Sequence, residues 1–295
     1  MHNKNKEGQV KRLLFRGLLL SLLAIAGGCQ ELPILEITET DESSQISLNV
    51  VSEILSTFDI VQDWSTGDLL FLKKDESLMP SDVVISYLDT SFIDGDGIKL
   101  GFDFGFLGQS PNGLLCKDGK YRAGYFTVSL NRHPQEIDAK LVIEFPEDNP
   151  FYSGDGVSMT EISGAMVVKR ISDDELKLTA SQLSVKENTE ENFVDATIAI
   201  RELADNGYGI VNDELSFDGT LSVTDDQLTI SLATTSPLRK NYTLECAENI
   251  VEGKIDVTIS NSISAVDIDF DPDNDAACDN KVAICINGKT VIYRY

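Results

Sequence analysis

The densest run of chemistry-bearing side chains lies near the end of the chain, where Asp267, Asp269, Asp271, Asp273, Asn274 and Asp275 place oxygen donors at alternate positions. Ca²⁺ takes six to eight oxygen ligands, so Asp269, Asp271, Asp273 and Asp275 are the calcium candidate of this sequence. The pattern departs from an EF-hand. No glycine stands at the sharp-turn position, and twelve residues counted from Asp269 end on Asn280 instead of a glutamate. A plainer reading has Val266, Ile268 and Phe270 pointing inward, Asp267 and Asp269 facing water, and the rest forming an acidic turn. Asp94-Gly95-Asp96-Gly97 is a shorter candidate that reads better as a tight turn with φ > 0 at the glycines. The expectation is therefore no metal site and no cofactor, with Ca²⁺ as the one candidate ligand ion.

Nucleophilic catalysis finds little material. Beyond residue 28 the chain has one histidine, His133, followed by Pro134 in a segment that reads as a loop, and no nucleophile-elbow or phosphate-cradling glycine pattern occurs. Glycoside hydrolysis needs only two carboxylates at the right separation, and acidic residues are abundant. Sugar platforms need exposed aromatics. Tyr121, Tyr125, Tyr152 and Tyr208 are the candidates, while the only tryptophan, Trp64, falls on an apolar stripe and reads as core. No catalytic residue is assigned, and the chain is expected not to be an enzyme.

The first thirty residues carry a different chemistry. Lys4, Lys6, Lys11, Arg12 and Arg16 precede an apolar run, residues 17–28, that closes on Ala26-Gly27-Gly28-Cys29. Twelve apolar residues are too few to span a bilayer core, which takes about 20, and suit a signal-peptide h-region. Small residues at 27 and 28 suit cleavage before an acylated cysteine, so Cys29 is the expected lipidation site. A diacylglycerol thioether plus an N-acyl chain such as palmitate supplies the two hydrophobic signals that stable attachment takes. Gln30 stands where lipoproteins kept in the inner membrane of enteric-type bacteria carry Asp. By resemblance, it points to the outer membrane, on the periplasmic or cell-surface face, with the surface favoured. Residues 29–46 read as the acylated cysteine and an acidic tether.

The full chain has 24 basic and 49 acidic residues. Removing the five basic and one acidic residues of 1–28 leaves 19 against 48, a net charge near −29. Such a field repels nucleic acid and anionic membrane surfaces. Four cysteines remain besides Cys29, namely Cys116, Cys246, Cys278 and Cys285. They allow three complete pairings, or free buried thiols, and no CxxC or Cys/His spacing suggests zinc.

The elements that must position these groups read as one helix and many strands. Leu48, Val51, Leu55, Phe58, Val61 and Trp64 recur at spacings of three or four, predicting a helix over about 47–64. Asn49, Glu53, Ser56, Asp59, Gln62 and Asp63 occupy its other side, and Ser65-Thr66-Gly67 stops it. Ile98, Leu100, Phe102, Phe104 and Phe106 alternate with smaller or polar residues, the period-2 signature of a half-buried strand. Comparable runs fall at 83–88, 124–130, 140–145, 165–170, 176–180, 196–201, 215–223, 228–233, 254–260, 265–270, 281–286 and 290–295. Asn287-Gly288 joins two of them by a two-residue turn of the type I′ kind, with Asp225-Asp226 and Asp118-Gly119 as weaker hairpin candidates. Short links imply an antiparallel meander, as a sandwich or a curved half-barrel, because parallel pairing needs long crossovers. The fold class is thus all-β, about a dozen strands with one N-terminal amphipathic helix, in a single domain over 47–295.

From about Asp103 onward the chain resembles a group of uncharacterised all-β outer-membrane lipoproteins of Gram-negative bacteria. The resemblance rests on Asp103-Phe104-Gly105, on Cys116-Lys117-Asp118-Gly119-Lys120-Tyr121-Arg122-Ala123-Gly124, and on Phe217-Asp218-Gly219-Thr220-Leu221-Ser222. It continues through Thr235-Ser236-Pro237-Leu238, Val251-Glu252-Gly253-Lys254, Cys278-Asp279-Asn280 and Ile286-Asn287-Gly288. The acidic loop at 271–275 departs from the glycine-rich loop of that group. The resemblance implies compartment, fold class and a cysteine pair at Cys246 and Cys278, closing a 33-residue loop, and carries no activity. The reading is a lipid-anchored envelope protein, non-enzymatic, binding or structural, whose partner is the membrane through Cys29 and an envelope protein or a glycan, and not nucleic acid. Two alternatives stand beside it: a carbohydrate-binding module or carboxylate-based glycan hydrolase, and a calcium-stabilised adhesion protein.

Overall fold

The structure is a computed structural model that describes residues 34–66, 77–92, 95, 97–108, 111–187, 190–206, 209–225 and 228–294. The signal-like segment, Cys29, Gln30, Asp94, Asp96, Tyr208 and Asp226 lie outside the described residues. Residues 40–295 form one compact unit, and residues 34–39 belong to a separate N-terminal unit.

Among the described residues one helix, α1 (Ile34–Thr66), precedes sixteen strands. These are β1 (Val84–Asp89), β2 (Ile98–Asp103), β3 (Leu114–Leu115), β4 (Tyr121–Ala123), β5 (Tyr125–Leu130), β6 (Lys140–Phe145), β7 (Phe151–Gly154) and β8 (Met159–Arg170). They continue as β9 (Glu175–Glu187), β10 (Glu190–Ala204), β11 (Glu214–Thr224), β12 (Thr229–Asn241), β13 (Ile250–Ile259), β14 (Val266–Asp269), β15 (Lys281–Ile286) and β16 (Lys289–Arg294). All pair antiparallel in a single open sheet, in the order β1-β2-β5-β6-β8 and then consecutively to β16, with β3, β4 and β7 forming a side ladder on β8. The all-β class with an N-terminal helix and a meander therefore holds, and among the described residues no second sheet packs face to face as a sandwich would require.

The helix takes the place of that second layer. Its start is a correction: periodicity marks residue 47, yet the helix begins thirteen residues earlier, because the acidic stretch Glu36–Glu42 supports a helix without adding an apolar repeat. A second correction concerns its surroundings. Every residue from 53 to 65 is buried, more than three turns, so all faces are covered, including Glu53, Ser56, Asp59, Gln62 and Asp63. Inward-facing side chains of strands on several sides meet it. Phe58 packs edge-on against Phe217 of β11 at 5.9 Å, and Trp64 against Phe102 of β2 at 5.7 Å. Phe102, Phe104, Phe126, Phe145 and Phe151 continue as stacked and edge-on pairs beneath β2, β5, β6 and β7.

Turn chemistry sets the hairpins. Asn287 and Gly288 adopt φ of 50° and 79° between Ile286 and Lys289, which pair directly. Gly119 (φ 81°) turns β3 into β4, and Leu228 donates its backbone N–H to Asp225 Oδ1 at the β11–β12 turn. Phe106 does not join its strand. Gly105 at φ 81° ends the alternation, so Phe104 is 1 % exposed while Phe106 is 96 % exposed. Strands β8 to β12 run longer than their apolar alternation because β-bulges interrupt it. Register shifts fall at Ser163/Met166, Val194/Ala196, Phe217/Thr220 and Thr234/Ser236, lining up across neighbouring strands and bending them.

Cys246 and Cys278 form a disulfide with a Cα–Cα distance of 5.1 Å, tying the β12–β13 connection to the segment before β15. Closing a loop of this length removes about 3–4 kcal/mol of chain entropy from the unfolded state. Reduction, or Cys246→Ser with Cys278→Ser, is expected to lower stability by about that amount. Denaturant titration with and without reductant measures it, and overlapping curves would contradict the estimate.

Candidate functional site

The buried polar side of α1 meets charged side chains that β-strand parity turns inward. Lys240 and Tyr242, at the end of β12, both donate to Asp59, with Tyr242 Oη 2.5 Å from Oδ1. Burial lifts the Asp59 carboxyl above its ordinary range against the opposing pull of Lys240 and Tyr242. Arg122 of β4 donates two hydrogen bonds to Asp118, at 2.8 and 2.6 Å, and a third to the Ser56 carbonyl at 3.2 Å. Burial pushes Asp118 up, but the Arg122 charge and hydrogen bonds, aided by Lys240 and Lys120, outweigh it and hold the carboxyl below the usual range. Lys120 reaches Glu53 at 2.5 Å.

Nearer the helix C-terminus, Asp63 accepts from Ser77 Oγ at 2.5 Å and from the backbone N–H groups of Leu78 and Ile210 at 2.9 and 3.2 Å. One helix carboxylate therefore clamps two separate segments. Asp213, 7 % exposed, lies by the same connection, and burial together with Asp205, Glu202 and Asp63 pushes it up to about 7, against one backbone hydrogen bond from Asn206. These groups fix the position of α1 in the sheet. The cavities described beside them are small: an apolar one beside Val51, Ile54 and Leu55 measures ≈ 30 Å³, and a polar one beside Asp118, Lys120 and Lys240 measures ≈ 10 Å³.

Ligand-sized space lies on the outer face. A trough of ≈ 760 Å³ crosses β9 to β13 beside the line of bulges, within the 300–1,000 Å³ typical of small-ligand sites. Cross-strand register builds it from two rows. Thr179, Thr197, Thr220, Ala233 and Asp256 are successive partners in one row. Asp195, Ser222, Ser231 and Thr258 are successive partners in the other. With Ser181, the lining holds seven hydroxyls and two carboxylates, and neither a cation nor an aromatic ring. Asp195 is held by Gln182, which donates from its backbone N–H at 3.0 Å and its side chain at 2.9 Å. Gln182 itself sits at φ 52° in the bulge.

Compared with protein-family models, curated proteins and solved structures, the chain matches none. Function is therefore argued from the site alone.

The structure separates most residues that the sequence singles out. Asp269 pairs with Lys254 at 2.7 Å, and Asp273 pairs with Lys281. Asp271 Oδ1 accepts from the backbone N–H groups of Asp275 and Ala276, and Asp275 Oδ1 from that of Ala277. These contacts organise an acidic turn. Among the described residues, no three His, Cys, Asp or Glu side chains are placed to share a metal ion. Asp267 faces outward opposite Asp256, and burial plus a hydrogen bond with Asp256 raises its carboxyl. His133 is exposed in the β5–β6 connection, its Nδ1 accepting a long 3.5 Å contact from Gln135 N–H.

Of the candidate platforms, Tyr121, Tyr125 and Tyr152 are half-buried and spent on contacts within the sheet. Tyr125 lies against Gly101 and Tyr121 against Gly156, each leaving no room for a Cβ, and Tyr152 reaches Glu161 at 3.3 Å. Cys116 is a free, buried thiol whose titration burial pushes up, and Cys285 is free on β15. Sequence reasoning missed Lys240, Arg122, Asp59 and Asp63 as buried partners, and it missed the trough. One of the buried cations was signalled by parity. Lys240 shares the strand face of Ile230, Leu232 and Leu238, a core face. The trough has no such signal, since threonine and serine on an outer face read as ordinary solvated positions.

Proposed function

We propose that this chain is a lipid-anchored cell-envelope protein that binds a neutral, hydroxyl-rich ligand, a glycan, along the outer-face trough of β9–β13 without turning it over. The trough lining carries this reading. Serine and threonine hydroxyls both donate and accept, and Asp195 and Asp256 accept strongly, which suits a ligand presenting many hydroxyls. An anionic ligand would meet two carboxylates and no Lys or Arg. A protein partner would look for the Trp, Tyr or Arg anchors that dominate interfaces, and the trough offers none.

Hydrolysis is less well supported. Asp195 and Asp256 stand three strands apart, about 14 Å at 4.8 Å per strand, beyond the 5–10 Å that glycosidase carboxylates span. Asp256 and Asp267 hydrogen-bond each other, which is closer than that range. The anchor at Cys29 and an outer-membrane address rest on the N-terminal sequence pattern.

The test is calorimetric titration of neutral oligosaccharides into the purified protein and into Thr197→Arg and Thr220→Arg variants. Both positions are exposed, so the variants should keep the parent melting temperature. The reading expects at least one oligosaccharide to bind, with affinity falling about tenfold or more in both variants, the equivalent of about 1.4 kcal/mol. Binding that ignores both substitutions, or no binding across the panel, would contradict it.

A further inference from the structure

Three loop tips expose most of a single large apolar residue each: Phe106 at 96 %, Ile263 at 92 % and Val157 at 74 %. Isolated apolar residues are common on protein surfaces, so their placement decides whether they matter. Topology places all three at one end of the sheet. Along β12, Lys240 meets Asp59 of the helix, while Leu232, Ala233 and Thr234 share a cavity with Val51, Ile54 and Leu55. The helix N-terminus therefore points towards the β11–β12 turn.

By register, the β7–β8 and β13–β14 connections lie at that same end, and so does the segment leaving β2. Val157 and Ile263 occupy the first two connections, and Phe106 the segment. Asn112 N–H donates to Gly156 O at 2.9 Å, joining the Phe106 loop to the Val157 tip. Large apolar residues on connections at the opposite end, Phe92, Ile137, Ile171 and Leu244, are 38–56 % exposed.

The chain enters the sheet-bearing unit at the apolar end, since Thr40, its first residue, precedes the buried part of the helix. Cys29 lies eleven residues earlier, and since the last six of those steps belong to α1, the reach is at most about 30 Å. We infer that Phe106, Val157 and Ile263 are lipid-contacting tips that seat this end of the sheet on the bilayer to which Cys29 is anchored. The inference rests on the acylation of Cys29. By register, Asp155, Glu187, Glu190 and Asp225 lie at the same end as the tips. Like charge disfavours an anionic surface there, so the bilayer that accepts them is zwitterionic.

The test places a reporter at each tip of the full chain. Phe106→Trp, Val157→Trp and Ile263→Trp are compared with Ile171→Trp and Leu244→Trp at the other end, and with the parent, whose Trp64 is buried. Each acylated protein is reconstituted into phosphatidylcholine vesicles carrying brominated acyl chains. The three tip reporters are expected to lose emission to the bromines, while the two controls and the parent keep theirs. Tips that stay unquenched on vesicle-bound protein would overturn the inference and assign those side chains to another partner, and equal quenching at all five sites would overturn it as unspecific adsorption. Mass measurement separates the anchor from the tips. A protein without acyl mass refutes the lipidation of Cys29, and the same variants with excess vesicles then decide the tips, quenching supporting them and its absence overturning them.

Discussion

Asp118→Ala is expected to destabilise the protein by about 3–5 kcal/mol, because it leaves the Arg122 guanidinium buried without its carboxylate. Both side chains are almost wholly excluded from water, and the pair is bidentate. The Ser56 carbonyl and the weakly accepting Cys116 sulfur would remain for Arg122, neither of them a charge, and a guanidinium does not shed its proton to escape. For a domain stable by about 5–15 kcal/mol, such a loss brings many molecules close to unfolding at physiological temperature. Replacing both partners, Asp118→Leu with Arg122→Met, should recover most of it, since the desolvation cost of the charges then disappears. The exposed Lys99–Glu144 pair supplies the contrast, and Glu144→Ala should cost less than about 1 kcal/mol. Urea titration of the four proteins measures all three values, and equal costs for the buried and exposed pairs would contradict the burial of Arg122.

Stability is expected to fall as pH rises from about 4 to 7, by up to roughly 4 kcal/mol, through Asp213 alone. Its carboxyl titrates at about 7 in the folded protein, raised by burial first and by Asp205, Glu202 and Asp63 after it. In the unfolded chain it titrates near the ordinary aspartate value. Between the two values the folded state holds a proton that the unfolded state has released. The contribution is therefore complete below the unfolded value and is lost as pH passes through the folded one. Asp63 and Asp59, also raised by burial, act in the same direction. Asp118 acts oppositely: its lowered carboxyl contributes above the unfolded value, and that contribution is lost in stronger acid. Maximal stability should accordingly sit in mildly acidic solution. Asp213→Asn should flatten the slope between pH 4 and 7, and an unchanged slope in that variant would remove Asp213 from the account.

Much of the fold is legible in the residues themselves. Period-2 alternation locates thirteen strands, and the Asn287-Gly288, Asp118-Gly119 and Asp225-Asp226 pairs mark three hairpins. What escapes is the polar side of the helix. A stripe of Leu48, Val51, Leu55, Phe58, Val61 and Trp64 describes one apolar face, and periodicity then assigns Asp59 and Asp63 to water. The information that reverses this lies far along the chain. Lys240 and Arg122 sit at inward parity, and a sheet of sixteen strands has more apolar face than one stripe can cover. Only the long-range pairing brings Asp59 to Lys240, 181 residues away. Phe106 errs the other way. It continues an apolar alternation, yet a positive φ at Gly105 turns it outward. The trough depends on bulges such as the one at Gln182, and nothing in the alternation marks where an extra residue enters a strand.

If α1 is the core around which one sheet is wrapped, function belongs to the outer surface. Amide hydrogen exchange read by mass spectrometry tests that arrangement most directly. Peptides covering residues 53–65 are expected to exchange as slowly as the central strands β9–β11, through global unfolding, while edge strands β1 and β16 exchange faster. A helix that exchanges as fast as those edges would mean that it lies on the sheet and not within it, and would return its charged side to solvent.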